Sequence, residues 1–193
     1  CVEEAELFEL REELEKFGYV KANRNRRQMK QLPPSRPMKF ISASGRAILI
    51  GKNNLQNDKL TFTAQPNEIW LHAKDMPGSH VIIVSEDPDD ATLLEAALLA
   101  AKYSKGANSS LVPVDYTRRK YVKKPSGAKP GFVIYTHQHT LSLCKGTGGG
   151  IRLLLGDGKH LVYNGPIQHI GDKTGTDALQ FMNSGFAAGK YGT

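Results

Sequence analysis

The segment from Ile69 to Ile83, IWLHAKDMPGSHVII, constrains the fold more than any other part of the chain. Two short apolar runs, Ile69 to His72 and His80 to Val84, flank Pro77-Gly78 and predict two strands joined by a turn. Alternation across the pleat puts Trp70 and His72 on one face, and the turn carries Lys74, Ser79 and His80 to the same rim. Such a set of donors beside an aromatic ring can hold phosphates and stack on a base or ribose. The same residues also suit a plain reading, with Trp70 in the core, both histidines satisfying strand ends and Pro77-Gly78 serving only as a turn. Spacing does not separate the two.

Further strand patterns surround this pair. Lys39 to Ala43 and Ala47 to Ile50 read as a hairpin closed by Ser44-Gly45-Arg46, and Leu60 to Thr63, Leu111 to Tyr116 and Phe132 to Thr136 complete the set. Asp90 is the expected N-cap of a helix from Ala91 to Tyr103, whose Leu93, Leu94, Ala97, Leu98 and Ala101 form a wide apolar face able to cover a sheet. The expected fold is α+β, a mostly antiparallel or mixed sheet with one main covering helix. Ahead of it, Leu7, Leu10, Leu14 and Phe17 recur at spacings of three and four and predict a helix from Val2 to Phe17, ended by Gly18. Periodicity fits a surface helix with a solvated acidic face and, equally, the returning arm of an antiparallel hairpin or coiled coil.

Charge adds a direction. The net charge is +7, yet it is unevenly placed: the first helix is acidic, the Pro-containing stretch 18–37 is basic, and Arg118, Arg119, Lys120, Lys123 and Lys124 form a second basic block beside Tyr116 and Tyr121. Cations interleaved with aromatics suit an RNA partner, although a charge run alone is as readily a solvated loop. Gly51-Lys52-Asn53-Asn54 follows a strand and can present backbone N–H groups and Lys52 to a phosphate at a short helix start; it matches neither the P-loop nor the dinucleotide fingerprint. His72 and His80 lack a third ligand for a metal, and an acid/base pair built on them needs His137 or His139 in sight. No cofactor is implied. Cys1 and Cys144 cannot build a disulfide framework or a zinc ribbon, and no apolar run approaches the roughly 20 residues that span a bilayer, so no membrane partner is expected. A start at Cys1 with no leader pattern reads as part of a longer cytoplasmic protein.

In order along the chain, Gly51-Lys52-Asn53-Asn54-Leu55-Gln56-Asn57-Asp58, Trp70-Leu71-His72-Ala73-Lys74, Pro77-Gly78-Ser79-His80-Val81, Leu94-Glu95-Ala96-Ala97 with Tyr103-Ser104-Lys105, Val114-Asp115-Tyr116-Thr117, and Val122-Lys123-Lys124-Pro125 before Pro130-Gly131 closely resemble the NFACT-R RNA-binding domain. That domain ends bacterial RqcH proteins, also called fibronectin-binding protein A-like, and has a counterpart in eukaryotic NEMF. The resemblance implies a chain divided at 1–17, the end of a coiled-coil helix; 18–37, a basic linker; 38–141, the RNA-binding domain; and 142–193, a Gly-rich tail without resemblance, expected to be frameshifted or fused. Upstream it implies more coiled coil and an NFACT-N domain. It further implies binding to rRNA of a large ribosomal subunit obstructed by peptidyl-tRNA, recruitment of tRNA, and alanine tailing of the stalled peptide, with the peptide bond left to the ribosome and no enzyme chemistry in the factor. The RNA-binding residues it implies, as contacts or their support, are Lys52, Asn53, Asn54, His72, Lys74, Ser79, His80, Arg118, Arg119, Lys120, Lys123 and Lys124. Two other readings stand beside it, a fibronectin-binding surface adhesin and an RNA-processing enzyme using His72 and His80.

Overall fold

Side chains decide the layering of this chain, because one sheet offers two differently coated faces. A computed structural model describes residues 4–16, 18–21 and 35–145, and beyond these the backbone of five strands within 151–188. The elements are α1 (Glu4–Lys16), β1 (Met38–Ile41), β2 (Ala47–Ile50), α2 (Asn54–Thr63), β3 (Ile69–Ala73), β4 (Val81–Ile83), α3 (Asp90–Lys102), β5 (Leu111–Arg118), β6 (Val122–Lys123), β7 (Ile134–Tyr135) and β8 (His139–Lys145). Six strands pair antiparallel in the order β1-β2-β4-β3-β5-β8, while β6 and β7 make a separate two-stranded ribbon.

Alternation explains the two coats. Phe40, Ile48, Ile50, Leu71, Val81, Ile83, Val114 and Leu141 project to one face and meet Leu94, Leu98 and Leu99 of α3, forming the main core. Each such side chain contributes about 1.5–3 kcal/mol when fully buried, so this face carries most of the stability. The opposite face holds a smaller cluster of Trp70, Ile82, Leu60 and Val122, with Tyr135 packed against it. It is covered by α2 and the β6–β7 ribbon.

The α+β class is as the sequence indicated, and four local expectations are corrected. Leu60 to Thr63 is the last turn of α2 and not a strand. The buried positions of α2 are Gln56, Asn57, Leu60 and Thr61, mostly polar, so hydrophobic periodicity carries no helical signal there. Asp89, one residue before the expected cap, takes the N-cap of α3 by accepting from Thr92 N at 2.7 Å. The reversal between β3 and β4 falls at Lys74-Asp75, with Asp75 at φ 54, whereas Gly78 lies extended and bridges Ser104. The expected strand from Phe132 to Thr136 is reduced to Ile134–Tyr135.

β8 runs across the expected junction at 141–142, and the chain continues as β9 (Ile151–Leu154), β10 (His160–Tyr163), β11 (Ile167–Gly171), β12 (Asp177–Phe181) and β13 (Ala187–Ala188). β9, β10 and β13 extend the sheet from β8, and β12, followed by β11, adds to the other edge with β12 parallel to β1. The acidic helix α1 ends as expected at Gly18, whose φ of 76 suits glycine. Its Leu7 and Leu10 are 56% and 48% exposed, while Leu14 of the same stripe is half-buried. No described helix is long and apolar enough to cross a membrane.

Candidate nucleic-acid interface

α2 organises the face opposite α3. Its first turn begins after Asn53, the N-cap, whose side-chain oxygen accepts from Gln56 N at 2.8 Å; Gln56 Oε1 in turn accepts from Lys52 N at 3.0 Å. This reciprocal arrangement is a capping box shifted by one residue, and it fixes the loop that carries Lys52. Lys52 itself is exposed. Asn53 and Asn54 are not left open to a phosphate: Asn53 Nδ2 donates to Glu9 Oε2 at 2.8 Å, and Asn54 Nδ2 donates to Glu13. Glu9 also accepts from Ser35 N at 2.8 Å and Ser35 Oγ at 2.7 Å. Glu9 and Glu13 of α1 therefore face the start of α2, where a solvated acidic face was one expectation.

Gly51 joins this loop to the histidine cluster. Its N–H donates to His80 O at 3.1 Å, and His80 N donates to Asn57 Oδ1 at 3.0 Å, so β2, α2 and the entry to β4 are stitched together. His80 is 1% exposed, with Nδ1 paired to Thr61 Oγ1 at 2.8 Å. It belongs beneath the surface, where it supports α2. Trp70 stacks on His72 with ring centroids 5.7 Å apart and 17° between planes, and meets His80 edge-on at 5.2 Å and Tyr135 at 4.9 Å. Trp70 is fully buried, as the plain reading of this segment has it, and its indole Nε1 has no hydrogen-bond partner among the described residues. Asp115, also buried, accepts from Tyr135 OH at 2.9 Å and Thr140 Oγ1 at 2.6 Å. Burial is the main cause that lowers the pKa of both histidines, His80 to about 3 with neighbouring His72 adding to the effect; at His72 the lowering is opposed by the Gly78 hydrogen bond and by the Asp115 charge.

The basic residues divide by what holds them. Arg119, expected as an RNA contact, spends its guanidinium on the far end of α2: Nε donates to Thr61 O at 2.9 Å and Nη2 to Phe62 O at 3.1 Å, with the group lying over the Phe62 ring. It caps helix carbonyls that would otherwise lack donors. Lys124 pairs with Asp58, which also accepts from Gly131 N at 2.9 Å. Arg118, Lys120 and Lys123 are exposed. Arg118 Nη1 lies 3.3 Å from Asn67 O, and Lys120 Nζ lies 3.4 Å from Asn67 Oδ1 and 5.2 Å from the centre of the Tyr121 ring. Lys74 and Ser79 are half-buried, held by Lys74 N to Pro113 O at 2.9 Å and Ser79 N to Tyr103 O at 3.0 Å.

The result is a surface with exposed cations beyond both ends of α2, Lys52 ahead of its start and Arg118 and Lys120 past its finish. The helix between them is about 15 Å long, a span that can engage several phosphates. Thr61, Asp58, Asp115 and Tyr135 all serve this face and were missed by sequence reasoning; only the Asn53-x-x-Gln56 capping pattern carries a readable signal for the helix that places them. Among the described residues no three His, Cys, Asp or Glu side chains are grouped to hold a metal.

Comparison with known proteins adds the following. The family model described as NFACT protein RNA binding domain matches residues 36–137. A Bacillus subtilis (strain 168) protein named Rqc2 homolog RqcH is 51% identical over 138 residues, which are 70% of this chain and 24% of the relative. A protein of the same name from Streptococcus suis (strain 05ZYH33) is 49% identical over 140 residues, covering 71% of this chain and 25% of the relative. The solved C-terminal part of the fibronectin/fibrinogen-binding protein from Streptococcus suis superposes with a TM-score of 0.67 at 46% identity, over 76% of this chain and 59% of that one. The chain thus spans about a quarter of the length of the curated relatives it matches.

Proposed function

As the chain belongs to the NFACT protein RNA-binding domain family, we propose that it serves as the RNA-binding module of a ribosome-associated quality-control factor of the RqcH kind. The observation that carries this reading is the cationic surface along α2, set on the part of the chain that the family model matches. Phosphate contacts of this type supply sequence-independent affinity and positioning.

In the finer form of the proposal, the factor works in the cytoplasm on large ribosomal subunits obstructed by peptidyl-tRNA. It contacts rRNA and tRNA and supports alanine tailing of the stalled peptide. The peptide bond is formed by the ribosome, so the domain supplies grip and orientation and no catalytic group. This fits the histidine cluster: His80 is buried with Nδ1 occupied by Thr61, which suits support of a surface better than proton transfer to a substrate. The exposed Leu7 and Leu10 of α1 suit a helix that continues into a coiled coil, where a second helix covers them.

Co-sedimentation of the chain with purified large ribosomal subunits tests the reading. Association at low salt that weakens as salt rises is expected. Absence of association at low salt, together with retention on immobilised fibronectin, would overturn it in favour of adhesion, the property named in the solved Streptococcus suis relative.

A further inference from the structure

We infer that the stacked pair Tyr121 and His137, on the outer side of the β6–β7 ribbon, is a stacking site for an unpaired RNA base. The inference rests on the RNA-binding reading above and names the form of RNA that this end of the surface takes.

The pair is built, not incidental. The two rings lie with centroids 4.2 Å apart and 23° between planes, although His137 is exposed. His137 holds φ at 55, a left-handed conformation uncommon outside glycine, and one that concentrates at sites where the surroundings enforce it. The enforcement is visible: Thr117 Oγ1 donates to Thr136 O at 2.9 Å and to His137 O at 3.2 Å, Thr136 N donates to Tyr121 O at 3.3 Å, and His137 Nδ1 lies 3.0 Å from Thr136 Oγ1. A solvated histidine at a loop needs none of these.

The neighbourhood suits a nucleotide. Val122 and Tyr135 pair across the ribbon and point into the core, so the next pair, Lys123 and Ile134, points outward. Ile134 is 52% exposed and Lys123 is exposed, which sets an apolar surface and a cation beside the stack. Lys120 stands over the Tyr121 ring, 5.2 Å from its centre. An aromatic platform between cations binds the π-face of a base and the phosphates on either side of it, and is tolerant of sequence. A base paired within a duplex has both faces covered and cannot use it, so the occupant is single-stranded.

The test uses the full chain and two fluorescein-labelled probes, an oligoadenylate and the same backbone with abasic residues, followed by fluorescence anisotropy. His137→Asn removes the ring while keeping a side chain that tolerates positive φ, Tyr121→Ala removes the platform, and Tyr121→Phe keeps it. Weakening of oligoadenylate binding by roughly five- to 100-fold is expected for the first two, with Tyr121→Phe close to wild type and no variant weaker on the abasic probe. Equal losses on both probes, or no loss on oligoadenylate while the wild type binds it, would overturn the stacking site alone. A wild-type chain that binds neither probe would overturn the RNA reading and the stacking site together.

Discussion

His80 and Thr61 share a buried hydrogen bond, imidazole Nδ1 to hydroxyl Oγ1 at 2.8 Å, that ties the start of β4 to the last turn of α2. The imidazole is held neutral, its pKa lowered from 6.5 to about 3 by burial first and by His72 second. The folded protein therefore refuses a proton that the unfolded chain accepts near pH 6.5. The stability so contributed is complete above that pH and is lost as pH falls toward 3, at about 1.4 kcal/mol per pH unit. Urea titrations of wild type and His80→Gln at pH 7 and 4.5 are expected to show the wild type losing roughly 2–3 kcal/mol more than the variant over this interval. Parallel losses in the two proteins would show that His80 is not excluded from protonation.

Glu95 pulls in the opposite direction. It is fully buried in α3 under the β1–β2 turn, accepts from Ala43 N at 3.3 and 3.2 Å, and its carboxyl is raised to about 7 by burial, with Asp89 adding to the rise. A carboxyl raised in this way contributes stability below its unfolded value of 4.5 and loses it as pH climbs through 7. Glu95→Gln keeps an oxygen for Ala43 N without the charge. A gain of about 1–3 kcal/mol at pH 8 and little change at pH 4.5 is expected from thermal melts.

Gly51 has a steric role. A Cβ at this position meets the Asn57 side chain and lies 3.0 Å from Asn57 N and 3.1 Å from Asn57 Cα, backbone that cannot retreat without moving α2. Gly51→Ala is expected to destabilise the fold by about 1–3 kcal/mol through overpacking. Asn57→Ala, which leaves His80 N–H buried without its acceptor, is expected to cost a similar amount, on the order of 1–3 kcal/mol. Chemical denaturation reads both, and an unchanged midpoint in either variant counts against the stitched geometry.

Two cations of the same basic block are expected to respond differently. Lys123→Ala removes an exposed charge, so RNA affinity should fall and the slope of log K against log salt should shrink by about one, with melting unchanged. Arg119→Ala removes donors from Thr61 O and Phe62 O, so melting should fall by the equivalent of about 1 kcal/mol or more. Anisotropy titrations over a salt series and a melting curve for each variant separate the two roles.

Much of the sheet was legible because its strands follow an alternating pattern, as in β3, where Ile69 and Leu71 meet α3's face and Trp70 and His72 meet α2's. α2 was not, since Gln56, Asn57 and Thr61 bury polar groups to make specific hydrogen bonds and leave no apolar stripe. The site followed the same division. An exposed charge such as Lys123 can be read from sequence as a solvent-facing cation, but whether a cation is held internally depends on partners far along the chain. Arg119 finds Thr61 and Phe62, and Lys124 finds Asp58. The contacts of the acidic helix were hidden for the same reason, as Glu9 and Glu13 reach donors more than 25 positions away, at Ser35, Asn53 and Asn54. His137 was readable only as a possible acid/base partner, because its stack on Tyr121 depends on a ribbon only two residues long on each side.

Ultraviolet crosslinking of the chain to RNA on large ribosomal subunits, mapped to residues by mass spectrometry, tests the central claim most directly. Crosslinked peptides containing Lys52, the stretch 118–124 and His137 are expected, all on or beside the face that α2 covers, and none from the outer side of α3. Crosslinks gathered on α3, or an absence of crosslinks where the chain co-sediments with the subunit, would contradict it.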